Sequence, residues 1–337
     1  MTHPQVICLG EVLWDYLADQ VGKSQAEVSS WTAYLGGAPA NVACGLVKLS
    51  TPAALISCVG QDPDGMRILE QLQQLGVEIG GIQQSAQATT RRVYVTRIPT
   101  DNPGTELVYE RQFVGFGPLD ALEFADRQLQ AERLPEELFA GAKYLVLGTL
   151  GLAAPVTAKA MQRAIELARQ HGLGIVIDVN WRPIFWPHPE AAIAQIRDFI
   201  QQADILKLSL EEAELFFQTT DPAVIQAGFG SHSSASSIQG AVITMGEQGC
   251  RYVLAEQAGQ LSALPVQTVD TTGAGDGFLA GLLHQLCLLG EQTELSLDVA
   301  MGLISFASAV GALVTTKPGA IAGQPTASEV HLFLRQC

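Results

Sequence analysis

Asp276 follows three small residues, Gly273, Ala274 and Gly275, in the stretch TVDTTGAGDGFLAGLL, and a long apolar pattern runs on from it. At a helix N-terminus the first backbone N–H groups point outward without intrahelical partners, and the helix dipole favours negative charge there. Small residues let a ligand come close to that backbone. Residues 273 to 275 can therefore form an anion hole for a phosphoryl group in flight. Asp276, on the first helical turn, can take the proton of an attacking hydroxyl. The dipole is expected to depress its pKa and leave it a weak base. Phosphoryl transfer tolerates this, because its loose transition state asks little of the nucleophile's proton until late. Gly277 and Gly281 would let the helix pack closely on a neighbour. A tight turn with a helix-start acid has the same spacing, so the stretch alone leaves both readings open.

Other chemistry-bearing patterns are absent. There is no G-x-x-x-x-G-K-[ST], and GAGDGF lacks the third-glycine spacing of a dinucleotide site. Neither H-E-x-x-H nor G-x-S-x-G occurs, and the histidines are scattered. The cysteines at 8, 44, 58, 250, 287 and 337 include no C-x-x-C, which argues against a zinc site. Cys8, Cys58 and Cys287 lie in apolar runs and read as small core residues, a usage that fits a reducing, cytoplasmic setting. The net charge of −15 disfavours general DNA or RNA binding, since phosphate backbones need clustered Lys and Arg. For an anionic ligand, positive charge must come locally from a metal ion, backbone amides or a few arginines. MTHPQVICLGEVLWDYL lacks the basic region and cleavage site of a leader, and no membrane span is expected.

An α/β framework must hold Asp276 in place. The 337 residues, 47% of them apolar, are enough for a sizeable core. QVICLGE, AALISCVG, KYLVLG, LGIVIDVN, DILKLS and GAVITMG read as buried strands. APANVACGLVKLS, PDGMRILEQLQQLG, PVTAKAMQRAIELARQHG, EAAIAQIRDFIQQA and EEAELFF have helical spacing. Continuous apolar strands linked by helices imply a mostly parallel sheet covered on both faces. TTRRVYVTRI and TELVYERQF instead alternate polar with apolar and are joined by PTDNPG, as in a hairpin with one wet face. It is expected to project as a lid, and residues 14–34 could add to it. Residues 228–240 read as a small-residue loop. With no repeat and no clean linker, one domain over 1–337 is expected, its lid formed by about 14–34 and 89–113.

Two motifs carry a family resemblance. DTTGAGDGFLAGLL is similar to the C-terminal signature of the ribokinase-like, or PfkB, family of carbohydrate kinases. GGAPANVACGLVKLSTPAALISCVGQDPDG, from Gly36 to Gly65, is similar to its N-terminal signature. They stand in the family's order and separation, and the similarity covers nearly the whole chain. The resemblance implies a ribokinase-like three-layer α/β sandwich: a mainly parallel central sheet between helices, with a small β lid over the sugar. It also implies Asp276 as catalytic base, the amides of Gly273, Ala274 and Gly275 as anion hole, and ATP with Mg²⁺ as donor.

At the sugar end the resemblance implies that Asp15 accepts hydrogen bonds from sugar hydroxyls, as a carboxylate can from two vicinal O–H groups. Gly36, Gly37 and Asn41 resemble the sugar-contacting residues of the first signature. IDVNWRPIFW resembles the D-x-N-x-R-x-x-x-W stretch of fructokinases. Its Asn180 and Arg182 follow a strand's carboxyl end, where open α/β sheets bind ligands. Arg182 can serve as a counter-charge, and Trp181, Phe185 and Trp186 read as packing. Arg111 resembles the arginine of the fructokinase F-Y-R segment, with Tyr109 and Glu110 in place of its aromatics. Arg91, Arg92 and Arg97 on the lid raise the prospect of a phosphorylated sugar.

At the nucleotide end, LKLSLEEAELF resembles the N-x-x-E segment that organises Mg²⁺. Ser209 stands for the Asn, Glu212 is the acid acting indirectly on Mg²⁺, and Lys207 precedes them. VITMGEQGC resembles the stretch that puts Thr244, Gly246 and Gly249 near phosphates and ribose. ISFASAVGALVTTKPGAI resembles the adenine-side wall, with Ser305 where the family often has Asn. Family members frequently use a monovalent cation, often K⁺. Carbonyls near Asp270 and Thr272, with others near Gly311 and Gly319, could build its site.

The implied function is ATP-dependent transfer of the γ-phosphoryl to a sugar hydroxyl, with fructose to fructose 6-phosphate as the leading choice. The implied partners are a small sugar and ATP, with no nucleic acid and no membrane. A lid edge strand could pair with its twin in a homodimer. Two alternatives stay open. One is a kinase for ribose, 2-keto-3-deoxygluconate, a nucleoside or a sugar phosphate; the other is a non-catalytic, fructokinase-like partner protein.

Overall fold

The chain opens with β1 (Val6–Leu9) and then leaves for β2 (Leu13–Ala18) and β3 (Trp31–Gly36) of a second sheet. It returns through α1 (Ala38–Lys48) to β4 (Ala53–Gly60) and through α2 (Pro63–Leu75) to β5 (Ile82–Ser85). A second excursion gives β6 (Arg92–Pro99) and β7 (Tyr109–Val114). Strands and helices then alternate as β8 (Tyr144–Leu147), α3 (Pro155–Gln170), β9 (Gly174–Asp178), α4 (Pro189–Ile200), β10 (Ile205–Ser209), α5 (Leu210–Phe217), α6 (Pro222–Gly228) and β11 (Gly240–Thr244). The hairpin β12 (Cys250–Leu254) and β13 (Gln257–Leu261) follows, and α7 (Ala274–Leu289), α8 (Leu297–Val314) and α9 (Ala327–Leu334) close the chain. This computed structural model describes residues 3–99, 109–114, 124–186, 188–229, 238–290 and 295–336.

The central sheet has the order β13-β12-β11-β10-β9-β8-β1-β4-β5. It is parallel from β5 to β11, and β12 and β13 add an antiparallel edge. Helices cover both faces, so alternate residues of a strand serve opposite cores. In β1, Val6 and Cys8 face one core and Ile7 and Leu9 the other, all four without solvent exposure. The expected buried strands and helices are all present. The β12–β13 edge was not part of the sequence reading; Ala255, at φ +52, turns that hairpin.

The smaller sheet, order β3-β2-β6-β7, joins the strands of both excursions in one layer. Residues 14–34 overlap β2 and β3 of this sheet. Its inner face is apolar, with Leu13, Leu17, Val93 and Val95 packed beside Tyr34. On its outer face Tyr16 stacks on Tyr94 at 5.1 Å and Trp31 meets Tyr94 edge-on at 5.2 Å. The PTDNPG turn and most of the 228–240 loop lie outside the described residues.

The close helix packing expected of Gly277 and Gly281 is realised. A Cβ at Gly281 would lie 2.9 Å from the Ala307 Cα, and one at Gly277 would lie 2.7 Å from a Val314 methyl. By length and composition α8 is apolar enough to cross a membrane, although no such span was expected, and half of it is buried inside the fold. It packs on α7 through Ala307 and Val310 as a core helix. The five described cysteines are free and buried.

Candidate active site

Beyond the carboxyl ends of β9, β10 and β11, the N-termini of α1 and α7 and the inner face of the small sheet line a cavity of about 540 Å³. Its lining is acidic: Glu11, Asp15, Asp178, Glu211, Glu212, Asp270 and Asp276 outweigh Lys207 and Arg182.

The turn into α7 has Gly273 at its N-cap with φ +77, where a Cβ would meet the Ala320 Cβ at 2.4 Å. Only glycine fits that backbone. Gly273, Gly275 and Asp276 line the cavity. Ala274 is turned aside, its N–H donating to Thr271 O at 3.3 Å, whereas those of Gly273 and Gly275 have no acceptor among the described residues. Of the three amides expected to form an anion hole, two are left without an acceptor among the described residues. A Cβ at Gly275 would lie 3.1 Å from Lys207 Nζ, so a buried ammonium stands against this backbone.

Asn41, on the first turns of α1, donates from Nδ2 to Asp276 Oδ2 at 2.7 Å. Its Oδ1 is buried without a hydrogen-bond partner among the described residues. The stretches around Gly36 and Gly275 therefore meet in one contact. Burial raises the Asp276 pKa to about 6, with Asp178 adding to the rise, against Asn41, Lys207 and Arg182, which lower it. This corrects the expected direction. The loss of hydration outweighs the helix dipole, and the carboxylate is a better base than the dipole alone would leave it.

Lys207 Nζ pairs with Asp178 Oδ2 at 2.8 Å, with both side chains buried. Burial pulls the Lys207 pKa down, but Asp178, Glu212 and Asp276 overcome it and hold the ammonium charged. Glu212 is not a surface acid. Its Oε2 accepts from Ser209 N at 2.7 Å in a capping box that opens α5, and its Oε1 accepts from Trp181 N at 2.5 Å. Burial, then the nearby Asp178, push its pKa up. Trp181 packs on Trp186 and Phe216, both at 6.0 Å, as expected of packing aromatics, while Phe185 also reaches the cavity wall.

Asp15 lies mid-β2, opposite Tyr34 and Val93, on the cavity side of the small sheet. A Cβ at Gly36 would fall 2.1 Å from Asp15 Oδ2, so Gly36 is what admits that carboxylate. Asn180, at φ +42, and the exposed Arg182 also line the cavity. Arg182 Nη1 donates to Trp181 O at 2.8 Å. Arg91 is buried and holds Asp126 through two bonds at 2.9 and 3.1 Å, and Arg92 pairs with Asp64. Neither is a free phosphate ligand. Arg111 lies on β7 opposite Arg97, but both side chains fall outside the described residues. Sequence reasoning misses Glu11, which also lines the cavity. Burial raises its pKa to about 7, Asp126 and Asp276 add to this, and Ala38 N opposes it.

At the other end, Thr244 reaches the cavity, its Oγ1 donating to Leu208 O at 3.2 Å. Gly246, Gly249 and Ser305 are not in its lining. Gly249 serves the β11–β12 turn, where a Cβ would fall 2.0 Å from Leu261 O, and Ser305 Oγ donates to Met301 O at 2.7 Å. Asp270 accepts from Thr272 N at 2.9 Å and from Gly319 N at 3.1 Å, bracing the loop before α7 against the loop after α8. The Gly275 backbone is a cradle that a side chain would fill, which fits a phosphate. Among the described residues no group of three or more His, Cys, Asp or Glu could hold a metal.

The pfkB family of carbohydrate kinases matches residues 3–327. Fructokinase-1 of Zea mays is 34% identical over 329 residues, which cover 96% of this chain and 96% of that one. An E. coli protein assigned as ribokinase II, solved with ATP and Mg²⁺, is 25% identical with a TM-score of 0.82, over 99% of this chain and all of its own. A Vibrio cholerae O395 fructokinase, solved with fructose, ADP and calcium, is 25% identical with a TM-score of 0.79, over 98% and 99% of the two chains. The chain belongs to the pfkB family of carbohydrate kinases and is a fructokinase-like sugar phosphotransferase.

Proposed function

We propose that the chain transfers the γ-phosphoryl of ATP to the 6-hydroxyl of unphosphorylated fructose. One observation carries this reading. Asp276, with a pKa near 6 and its Oδ2 held by Asn41, stands beside the open Gly275 backbone and above the buried Lys207 ammonium. A hydroxyl seated there has a base on one side and positive charge beyond it. Asp15 and the unpaired Asn41 Oδ1 accept sugar O–H groups, and the apolar lid residues Leu13 and Val93 cover a C–H face. Arg182, at the rim, offsets phosphate charge. When bound, Mg²⁺ neutralises charge on the transferring group, and the chain's own Glu212 orients its water shell. A monovalent cation would use carbonyls of the loop that Asp270 braces.

The pairing of Arg91 with Asp126 and of Arg92 with Asp64 disfavours a sugar phosphate as acceptor. The Zea mays and Vibrio relatives named for fructose favour that sugar over ribose. A coupled assay of ADP release with fructose, ribose, 2-keto-3-deoxygluconate, adenosine and fructose 6-phosphate tests the reading. Turnover highest on fructose is expected. No turnover of fructose sinks the substrate assignment, and co-purification with a partner plus no transfer to any sugar sinks the catalytic reading. Among the described residues β3 and β7 are the outermost strands of the small sheet, and pairing of one with its twin would give a homodimer, detectable by light scattering.

A further inference from the structure

Glu11 follows β1 and precedes β2, where the chain leaves the central sheet for the lid. It is only 8% exposed, and its Oε1 accepts a hydrogen bond from Ala38 N at 3.0 Å. Ala38 opens α1, whose N-cap is Gly37 and offers no capping side chain. Pro39 has no N–H to satisfy. Glu11 therefore supplies from the lid root what the helix lacks locally: an acceptor for its first N–H and a carboxylate at the positive end of its dipole.

The junction is tight. A Cβ at Gly10, whose φ is +152, would lie 2.6 Å from Pro39 Cγ. One at Gly37, whose φ is +103, would lie 2.5 Å from the Glu11 carbonyl oxygen. Within the next turn Asn41 N donates to Gly37 O at 2.8 Å, and the Asn41 side chain reaches Asp276. The other lid root is tied to the same place, since Trp14 N donates to Arg91 O at 3.1 Å and Arg91 holds Asp126. A continuous series of bonds thus runs from the base of the lid through Ala38 and Asn41 to the carboxylate at the reacting centre.

We propose that Glu11 is a positioning residue that caps α1 from the lid root and thereby holds Asn41 against Asp276, so that the seating of the lid is felt at the base. The kinetic part of this rests on the kinase reading above; the capping does not.

The test uses full-length Glu11→Ala and Glu11→Gln beside wild type, with steady-state kinetics on whichever sugar wild type turns over best. Amide hydrogen exchange over residues 38–48 is measured without ligand. Glu11→Ala is expected to lower kcat about tenfold or more, to leave KM for ATP within about twofold and to speed exchange in the first turn of α1. Glu11→Gln, which keeps an acceptor oxygen, is expected to restore most of both. Glu11→Ala with wild-type kcat and exchange overturns the proposal, and so does Glu11→Gln as impaired as Glu11→Ala. If Glu11→Ala does not fold, Glu11→Asp, whose shorter side chain cannot span to Ala38, takes its place with the same expectations. A wild type that turns over no sugar sinks the kinase reading, and the exchange measurement then decides the capping alone.

Discussion

Asn41→Leu separates the pKa of Asp276 from the rest of the site. The substitution keeps most of the side chain's bulk but removes the donor that sits 2.7 Å from Asp276 Oδ2. Burial has raised the Asp276 pKa to about 6, and the Asn41 bond is the first influence pulling it down. A hydrogen bond to a charged group is worth about 1.5–3 kcal/mol, and one pKa unit corresponds to about 1.4 kcal/mol. The variant's pKa should therefore rise by about one to two units, to about 7–8. The base works when ionised, so activity falls as pH drops through that value. The acid limb of kcat/KM, which reports the free enzyme, should move upward by the same amount. At neutral pH the variant should lose activity that it regains in alkaline buffer. Asn41 Oδ1 is also buried without a partner, so loss of a sugar contact should lower the whole profile without moving its limb. The limb's position, read by coupled ADP release across pH, is the decisive quantity. A limb that stays at the wild-type pH would refute the idea that this hydrogen bond sets the base.

Three further outcomes follow from the same geometry. Asp276 has a folded pKa near 6 against 3.8 for the free side chain, so its ionised form costs stability above the folded value, and the cost vanishes below the unfolded one. Asp276→Asn should be more stable than wild type at pH above that range, by about 1–2 kcal/mol after allowing for solvent in the cleft, and equal to it in acid; denaturant melts at two pH values check this. Gly36→Ala puts a methyl where Asp15 Oδ2 now lies and should raise KM for the sugar about tenfold or more with little change in KM for ATP, as initial-rate kinetics would read. Lys207→Met leaves Asp178 buried without its cation and should cost about 3–5 kcal/mol in urea unfolding as well as turnover, whereas a small loss would mean that water reaches the pair.

What the sequence displays well is local. A glycine-rich helix start announces itself in GAGD, and the strand and helix periods announce the parallel sheet. The direction of the Asp276 pKa is not local, because it sums burial with charges on β9 and β10 and with the Asn41 hydrogen bond from α1. Arg91 and Arg92 suggest a phosphate ligand in the sequence because the acids that pair with them, Asp126 and Asp64, lie in other elements. Glu211 and Glu212 are equivalent in a string of letters. Only the fold turns Glu212 inward, onto Ser209 N and Trp181 N. Glu11 stands four places before Asp15 and gains meaning only when the lid root folds onto Ala38. Its signal is the pair of tight glycines, Gly10 and Gly37, on either side of that contact.

The central claim is that Asp276 takes the proton of a fructose hydroxyl as phosphate is transferred. Its most direct test is kcat for fructose phosphorylation by Asp276→Asn, with sugar affinity measured on the same protein by calorimetry. The expected result is a fall in kcat by a factor of about 10²–10⁴ with sugar binding largely retained. Turnover close to wild type, in a variant that still binds fructose, would contradict it.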